Sequence, residues 1–307
     1  MKNERLYDFI QNEQLGEVRL NEPLNQYTTW RIGGSAEIFC QPENWRACSR
    51  VLYQADLLEI PVTFLGYGSN VLVADEGVRG LVIQTKKMSR IIWEEPYVTA
   101  EAGVALAQLS QQVGHKGLRG LEFACGIPGS VGGAAIMNAG AYGSSMSYVV
   151  NKVRTLNLSG VSKSYSKEEL EFAYRTSILK KNRKEIITEV EFILENGDAM
   201  ESKRLMDEYL QLRKNKHPLH LPNAGSVFRN PPEISAGRLI EEAQAKGWRV
   251  GDAQVSEQHA NFIVNLNRAK ATDVIKLIKE VQKQVYNKQS IWLETEVVLM
   301  GFEDNRR

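Results

Sequence analysis

Between Cys125 and Gly143 the chain carries six glycines in nineteen residues (Gly126, Gly129, Gly132, Gly133, Gly140 and Gly143), where an even spread of 24 glycines over 307 residues gives one or two. Inside regular structure each costs about 0.5–1 kcal/mol relative to alanine, because a bare backbone loses the most freedom on folding. Chains keep such glycines where backbone must come close to a ligand or to another backbone. A loose solvent loop accounts poorly for this run. Ile127, Val131, Ile136 and Met137 are spread through it, and their apolar surface would be left in water. With Ser130 and the small side chains around it, the segment suits a flat or phosphate-bearing cofactor.

A second glycine segment, Gly66-Tyr67-Gly68-Ser69-Asn70, joins the apolar runs 62–65 and 71–73. Positive φ angles at such glycines turn successive N–H groups into one anion-holding concavity. The dinucleotide-binding fingerprint is excluded, because it needs a third glycine and a following helix, whereas Val71-Leu72-Val73 continues as strand. A glycine-rich hairpin without a ligand fits the same spacing, so both readings stand at this point.

Composition narrows the class. Thirty-eight Lys and Arg against 37 Asp and Glu leave no basic excess for nucleic acid or an anionic membrane surface. The 43% hydrophobic and 24% charged content is that of a globular chain, and its length gives roughly two domains at about 150 residues each. Cys40, Cys48 and Cys125 are odd in number and lack C-x-x-C spacing, so they read as buried small hydrophobes. No signal-peptide-like or membrane-spanning apolar stretch is present, and the expected location is the cytoplasm. An enzyme or a small-molecule binder remains.

Periodicity predicts helices over 4–15, 104–113 and 200–214, and a turn between short strands over 25–42. Four brief apolar runs, 62–65, 71–73, 81–83 and 91–93, predict closely spaced strands in one compact β-rich unit. Strands follow near Val149 and over 188–194. Ser235 caps a helix that stops at Gly247, 262–264 is a strand, a long helix opens at Thr272 or Asp273, and 291–300 is a final strand.

Several residues carry candidate chemistry. Arg175 lies in a short run between Phe172 and Ile178, placing its guanidinium near a possible anion, although a surface arginine is the commoner outcome. Ser177 to Lys180 matches S-x-x-K without the S-D-N and K-T-G that give it meaning, so the match is chance. Ser226 has no G-x-S-x-G elbow around it. His217 and His220 flank Pro218, and His259 has no ligand neighbours in sequence, so no metal is expected. Alternation places Glu294 and Glu296 on one strand face, either for acid–base work or toward solvent.

Seven segments in this order resemble the family of bacterial UDP-N-acetylenolpyruvoylglucosamine reductases: T-T-W-R-I-G-G (28–34), L-G-x-G-S-N-x-L (65–72), G-I-P-G-S-V-G-G-A (126–134), N-A-G-A-Y-G (138–143), Y-R-T-S (174–177), A-G-S-V-F-R-N-P (224–231) and L-E-T-E-V (293–297). The resemblance implies an α+β fold. Its FAD-binding region is of the vanillyl-alcohol-oxidase (PCMH) type, over 28–197 in subdomains of about 28–95 and 96–197. A helical segment 1–27 packs on that region, and an α+β substrate-binding domain spans 205–301. The lack of an additional tyrosine-bearing loop after residue 177, and the stretch 255–262, look like the family's shorter subgroup. Tyr67 stands where many members carry glycine.

By the same resemblance, non-covalent FAD contacts Gly66, Tyr67, Gly68, Ser69, Asn70, Gly126, Pro128, Gly129, Ser130, Gly132, Gly133, Asn138, Gly140, Ala141 and Tyr142. Arg175, Ser226 and Glu296 match catalytic positions, and Arg175, Asn223, Arg229 and His259 bind substrate, with Lys216 a further basic candidate for the UDP diphosphate. The implied reaction serves peptidoglycan synthesis, and with it cell shape, division and cell cycle. NADPH reduces the flavin, flavin N5 gives hydride to C3 of the enolpyruvyl ether, and Ser226 gives a proton to C2. Arg175 and Glu296 stabilise the charge that develops between these events. A cytoplasmic monomer with a UDP-sugar substrate is expected.

Overall fold

A computed structural model describes residues 2–182 and 184–302. The chain packs into two compact units: one takes the residues up to Asn21 with Glu37–Tyr67 and Gly80–Arg213, the other Glu22–Ala36, Gly68–Arg79 and the chain from Lys214 onward. Compactness thus departs from the linear division at 27 and 197–205. Residues 28–36 and 68–79 pack with the C-terminal chain for identifiable reasons. Trp30 is fully buried, its indole N–H donates to the Ile263 carbonyl at 2.8 Å, and the Asn265 amide returns a bond to the Trp30 carbonyl at 3.0 Å. Asp75 accepts the N–H groups of Ala271 at 2.7 Å and Thr272 at 3.0 Å, putting a carboxylate on the positive end of helix Ala271–Gln289. Partners about 200 residues away leave no trace in a local pattern.

The first unit holds two hydrophobic cores. In one, helices Lys2–Asn12 and Trp45–Leu57 cover a four-stranded sheet ordered Gly16–Pro23, Ser35–Pro42, Val78–Gln84, Val62–Leu65. Leu6, Ile10, Ile38, Val51, Leu52, Leu81 and Ile83 fill the space between, with Cys40 and Cys48. Burial pushes both thiols far up, Cys48 to about 12, which makes them inert packing. The other core lies under a five-stranded antiparallel sheet ordered Ser162–Ser166, Val150–Asn157, Glu185–Ile193, Tyr97–Glu101, Ile91–Glu94, with helices Leu106–His115 and Val131–Ile136. The glycine-rich run is therefore partly helical.

The second unit is built on helix Ala271–Gln289, which buries Val274, Leu277, Ile278, Val281 and Val285. Helix Ala236–Glu242 has the expected cap, the Ser235 hydroxyl accepting the Arg238 N–H at 3.2 Å. A three-stranded antiparallel sheet of Arg249–Val250, Ala253–Val255 and Ile263–Asn265 and a parallel pair of Val71–Val73 with Val298–Met300 complete it.

Three sequence expectations need correction. The four runs between 62 and 93 form strands but no single unit: Val62–Leu65 and Val78–Gln84 pair in parallel, Val71–Val73 pairs with Val298–Met300, and Ile91–Glu94 edges the five-stranded sheet. Short, uniformly apolar runs encode burial without encoding a partner. The final strand is regular only over Val298–Met300, since 294–296 makes a single bridge, Phe228 to Thr295. Strands Tyr97–Glu101 and Ser162–Ser166 were not anticipated. The first follows Ile91–Glu94 after only Glu95-Pro96, and the second is an all-polar edge apart from Tyr165.

Candidate active site

In the first unit the structure ties the 126–143 run to the Tyr174–Ser177 segment. Ala173 and Thr176 exchange two backbone hydrogen bonds of 3.1 Å, which makes Tyr174 and Arg175 the tip of a tight turn with Arg175 at φ +55°. Lys180 Nζ donates to the Arg175 carbonyl at 2.9 Å, and Ser177 Oγ donates to the Ile136 carbonyl at 2.7 Å. Both ends of the chance S-x-x-K match are thus used to fix this turn. The Asn138 amide donates to the Ala173 carbonyl at 3.0 Å while its oxygen accepts the Ser147 N–H at 2.9 Å. Arg175 Nη2 reaches the Gly140 carbonyl at 3.0 Å, with the guanidinium over the Tyr174 ring. Asn138 at φ +43° and Tyr142 at φ +52° join Arg175 in the left-handed region. Each such residue costs on the order of 1–3 kcal/mol, and this strain gathers at binding clamps.

The Tyr142 ring lies flat on that of Tyr209, centroids 4.0 Å apart, and its hydroxyl donates to the Tyr209 carbonyl at 2.8 Å. A Cβ on Gly126 would come within 2.8 Å of Arg213 Cδ. Periodicity puts Tyr209 with Leu205 and Leu212 on the apolar face of helix Ala199–Lys216 but gives it no role at the site, and Arg213, four residues on and on the same side, carries no signal of its own. Cys125 is buried, and its thiol faces the Met206 carbonyl at 3.6 Å.

The 66–70 segment divides at the boundary between the units. Gly66 and Tyr67 belong to the first, where a Cβ on Gly66 would lie 2.7 Å from Ser130 Oγ, an atom that also caps helix Val131–Ile136 by accepting the Gly133 N–H at 3.2 Å. The Tyr67 hydroxyl donates to the Gly103 carbonyl at 2.9 Å. Gly68, Ser69 and Asn70 belong to the second unit. Gly68 alone of the two glycines has positive φ, +63°, and a Cβ there would sit 2.2 Å from the Tyr27 carbonyl. The expected series of positive φ angles is therefore absent, since Gly66 is required for space rather than for conformation.

Ser226 and Glu296 lie on neighbouring extended segments of the second unit. The Arg229 N–H donates to the Glu294 carbonyl at 2.9 Å and the Glu296 N–H to the Val227 carbonyl at 2.8 Å. The Asn70 amide holds the Glu296 carbonyl at 3.3 Å. Asn261, missed in the sequence, brackets Phe228 with both ends of its amide at 2.9 and 2.8 Å. The Asn223 side chain donates to the Leu221 carbonyl at 2.8 Å and accepts the Gly225 N–H at 2.9 Å, so its amide shapes the turn before Ser226. Leu293 and Val297 are buried while Glu294 is exposed, as alternation requires. Of the three catalytic candidates, Ser226 and Glu296 thus sit on paired segments, and Arg175 is part of the first unit.

Ser226 and His259 line one cavity of about 340 Å³ with Asn230, Arg238, Lys246 and Asn261. The His259 ring meets His217 edge-on at 5.2 Å and Phe262 at 4.8 Å, giving it the neighbours its sequence context lacked. Nδ1 accepts the Asn261 N–H at 3.2 Å, which leaves the proton of the neutral ring on Nε2. Burial holds the His259 pKa below its ordinary value, with Lys246 lowering it further and Glu241 opposing. The folded state therefore resists a proton that the unfolded chain takes up near pH 6.5, so this residue's contribution to stability is lost as pH falls below that value. Wild type is expected to lose more thermal stability between pH 7.5 and 5.5 than His259→Gln, measured as the difference in unfolding midpoints. Equal losses would remove His259 as the titrating group.

Residues 217–300 match the family described as UDP-N-acetylenolpyruvoylglucosamine reductase, C-terminal domain, and residues 36–161 match the FAD binding domain family. The UDP-N-acetylenolpyruvoylglucosamine reductase of Geobacillus thermodenitrificans is 43% identical over 286 residues, 93% of this chain and 94% of that protein. That of Halalkalibacterium halodurans is 41% identical over 97% of this chain and 99% of its own length. The crystal structure of the Thermus caldophilus reductase is similar with a TM-score of 0.79 at 37% identity, covering 93% of this chain and 98% of that one. On this agreement of sequence and fold, the chain belongs to the UDP-N-acetylenolpyruvoylglucosamine reductase family.

Proposed function

We propose that the chain reduces the enolpyruvyl ether of UDP-N-acetylglucosamine to UDP-N-acetylmuramate for peptidoglycan synthesis, using FAD and NADPH, as a cytoplasmic monomer. No helix among the described residues is long and apolar enough to cross a membrane. The residues present fit a flavin nucleotide. Gly66 exposes backbone against a buried serine hydroxyl, Gly143 has φ +80° with no atom within 4 Å of where its Cβ would be, and the strained residues Asn138 and Tyr142 lie between them in the chain. Gly66, Tyr67, Ser130, Gly133, Asn138, Gly140, Ala141 and Tyr142 of the first unit would hold FAD, with Gly126, Pro128, Gly129 and Gly132 shaping the same run. When bound, FAD supplies the hydride acceptor for NADPH and the hydride donor for the enolpyruvyl carbon.

The chain's own residues handle charge and proton. Reduction at C3 builds negative charge on C2 and the carboxylate, and Arg175, fixed by its turn, supplies a permanent positive charge for it. Ser226 delivers the proton to C2, and Glu296, carried on the paired segment, orders donors around the carboxylate. His259, Arg229, Asn223 and Lys216 are the candidates for the nucleotide end of the substrate. The observation that carries this reading is the pairing of 227–229 with 294–296, which sets a hydroxyl and a carboxylate on adjoining segments. The test is an anaerobic visible spectrum. NADPH is expected to bleach the flavin band, and UDP-N-acetylglucosamine enolpyruvate to restore it. A colourless protein that takes up no FAD would sink the proposal, and restoration by oxygen alone would favour an oxidase.

A further inference from the structure

We propose that Gln84, held by Gln41, is a positioning residue for the flavin nucleotide, an inference that rests on the FAD reading above. Gln84 ends strand Val78–Gln84 and is 2% exposed; Gln41 is the last residue but one of strand Ser35–Pro42 and is 8% exposed. Two buried amides are costly unless each is bonded. Here they form a chain: Gln41 Nε2 donates to Gln84 Oε1 at 2.5 Å, and Gln84 Nε2 donates to the Gly66 carbonyl at 2.9 Å. The register makes this possible, since parallel pairing sets Gln84 beside Leu65, one residue before Gly66.

The far end of the chain is what gives it meaning. An isolated pair of buried amides could satisfy itself, whereas this one ends on a single carbonyl of the glycine segment. The peptide unit is planar, so fixing the Gly66 carbonyl also fixes the Tyr67 N–H on the opposite side. Ser130 Oγ stands 2.7 Å from where a Gly66 Cβ would be, and the Tyr67 hydroxyl is tied to Gly103. The Gly66–Tyr67 peptide is thereby held at its carbonyl, at its bare Cα and through the following side chain. A preoriented donor binds an acceptor oxygen without the ordering cost a free peptide bears. The consequence is FAD affinity that depends on two buried side chains outside the glycine segment.

The test separates positioning from packing. Apo-protein of wild type, Gln84→Leu and Gln41→Leu/Gln84→Leu is titrated with FAD by fluorescence quenching, at a temperature well below each apo-protein's unfolding midpoint. Gln84→Leu leaves both the Gln41 amide and the Gly66 carbonyl without a partner, so its apo midpoint falls; the double variant removes the second amide too, and its midpoint recovers in part, short by the Gly66 carbonyl. FAD affinity is expected to fall about tenfold in both, the equivalent of one preoriented hydrogen bond. A double variant that binds FAD as tightly as wild type overturns the proposal. If wild type itself takes up no FAD, the functional reading fails instead.

Discussion

Replacing Ser226 by alanine is expected to slow reduction of the enolpyruvyl ether by about 10²–10⁴-fold, the range a positioned general acid contributes, while NADPH bleaches the flavin at the parent rate. The asymmetry follows from where the hydroxyl enters the chemistry. Proton delivery to C2 is needed only in the second half-reaction, and nothing in flavin reduction asks for it. The turn carrying Ser226 is held without its side chain: Asn223 shapes it from one side, Asn261 brackets Phe228 beyond it, and the Thr29 hydroxyl bonds the Asn223 carbonyl at 2.6 Å. Alanine therefore removes an oxygen and leaves the path of the chain. Stopped-flow traces of the two half-reactions decide the matter, and equal loss in both would contradict the role. A serine hydroxyl is a weak acid, so its proton must be resupplied, and Lys246 and His259 line the same cavity.

Glu296→Ala is expected to cost about 10²–10³-fold in the same half-reaction, the scale of losing one preorganised group aimed at developing charge. Its main chain is anchored at both polar atoms, to Val227 and to Asn70, so the variant should keep an unfolding midpoint near that of wild type. Glu296→Gln separates two possibilities: an amide N–H can donate where a protonated carboxyl did, so partial recovery over alanine marks Glu296 as a hydrogen-bond donor. Glutamine as poor as alanine marks it as a carboxylate. Activity of Glu296→Ala within threefold of wild type would remove it from the reaction.

The local grammar of the chain was readable to a useful depth. Alternation at 291–297, the Ser235 cap and the apolar stripe of 271–289 each reappear in the fold, because each is decided within a few residues. Partners across the sequence were not readable. Val71–Val73 looked like its neighbours at 62–65 and 81–83, yet pairs with 298–300. His259 looked solitary and meets His217, and Tyr142 stacks on Tyr209, which the periodicity of its helix set on the apolar face without naming a partner. The glycine run shows the same limit from another side: composition marked the segment as one of close approach, whereas which glycine faces a neighbouring chain, as Gly132 faces Ala102, and which has open space, as Gly143 does, is a matter of three-dimensional packing.

The second unit's construction from early and late chain has a temporal consequence. Asn70 and Glu296, bonded to each other, are 226 residues apart, and the strand after Asn70 has its parallel partner only in Val298–Met300. A ribosome adding about 5–20 residues per second leaves that early strand waiting on the order of ten seconds or more for its mate. Through that interval Trp30, Leu72 and Asp75 belong to no finished core, while most of the first unit's chain has already emerged. Nascent chains of this protein thus expose an unpaired apolar strand at 71–73 until residues 298–300 have been made, and that strand needs shielding meanwhile.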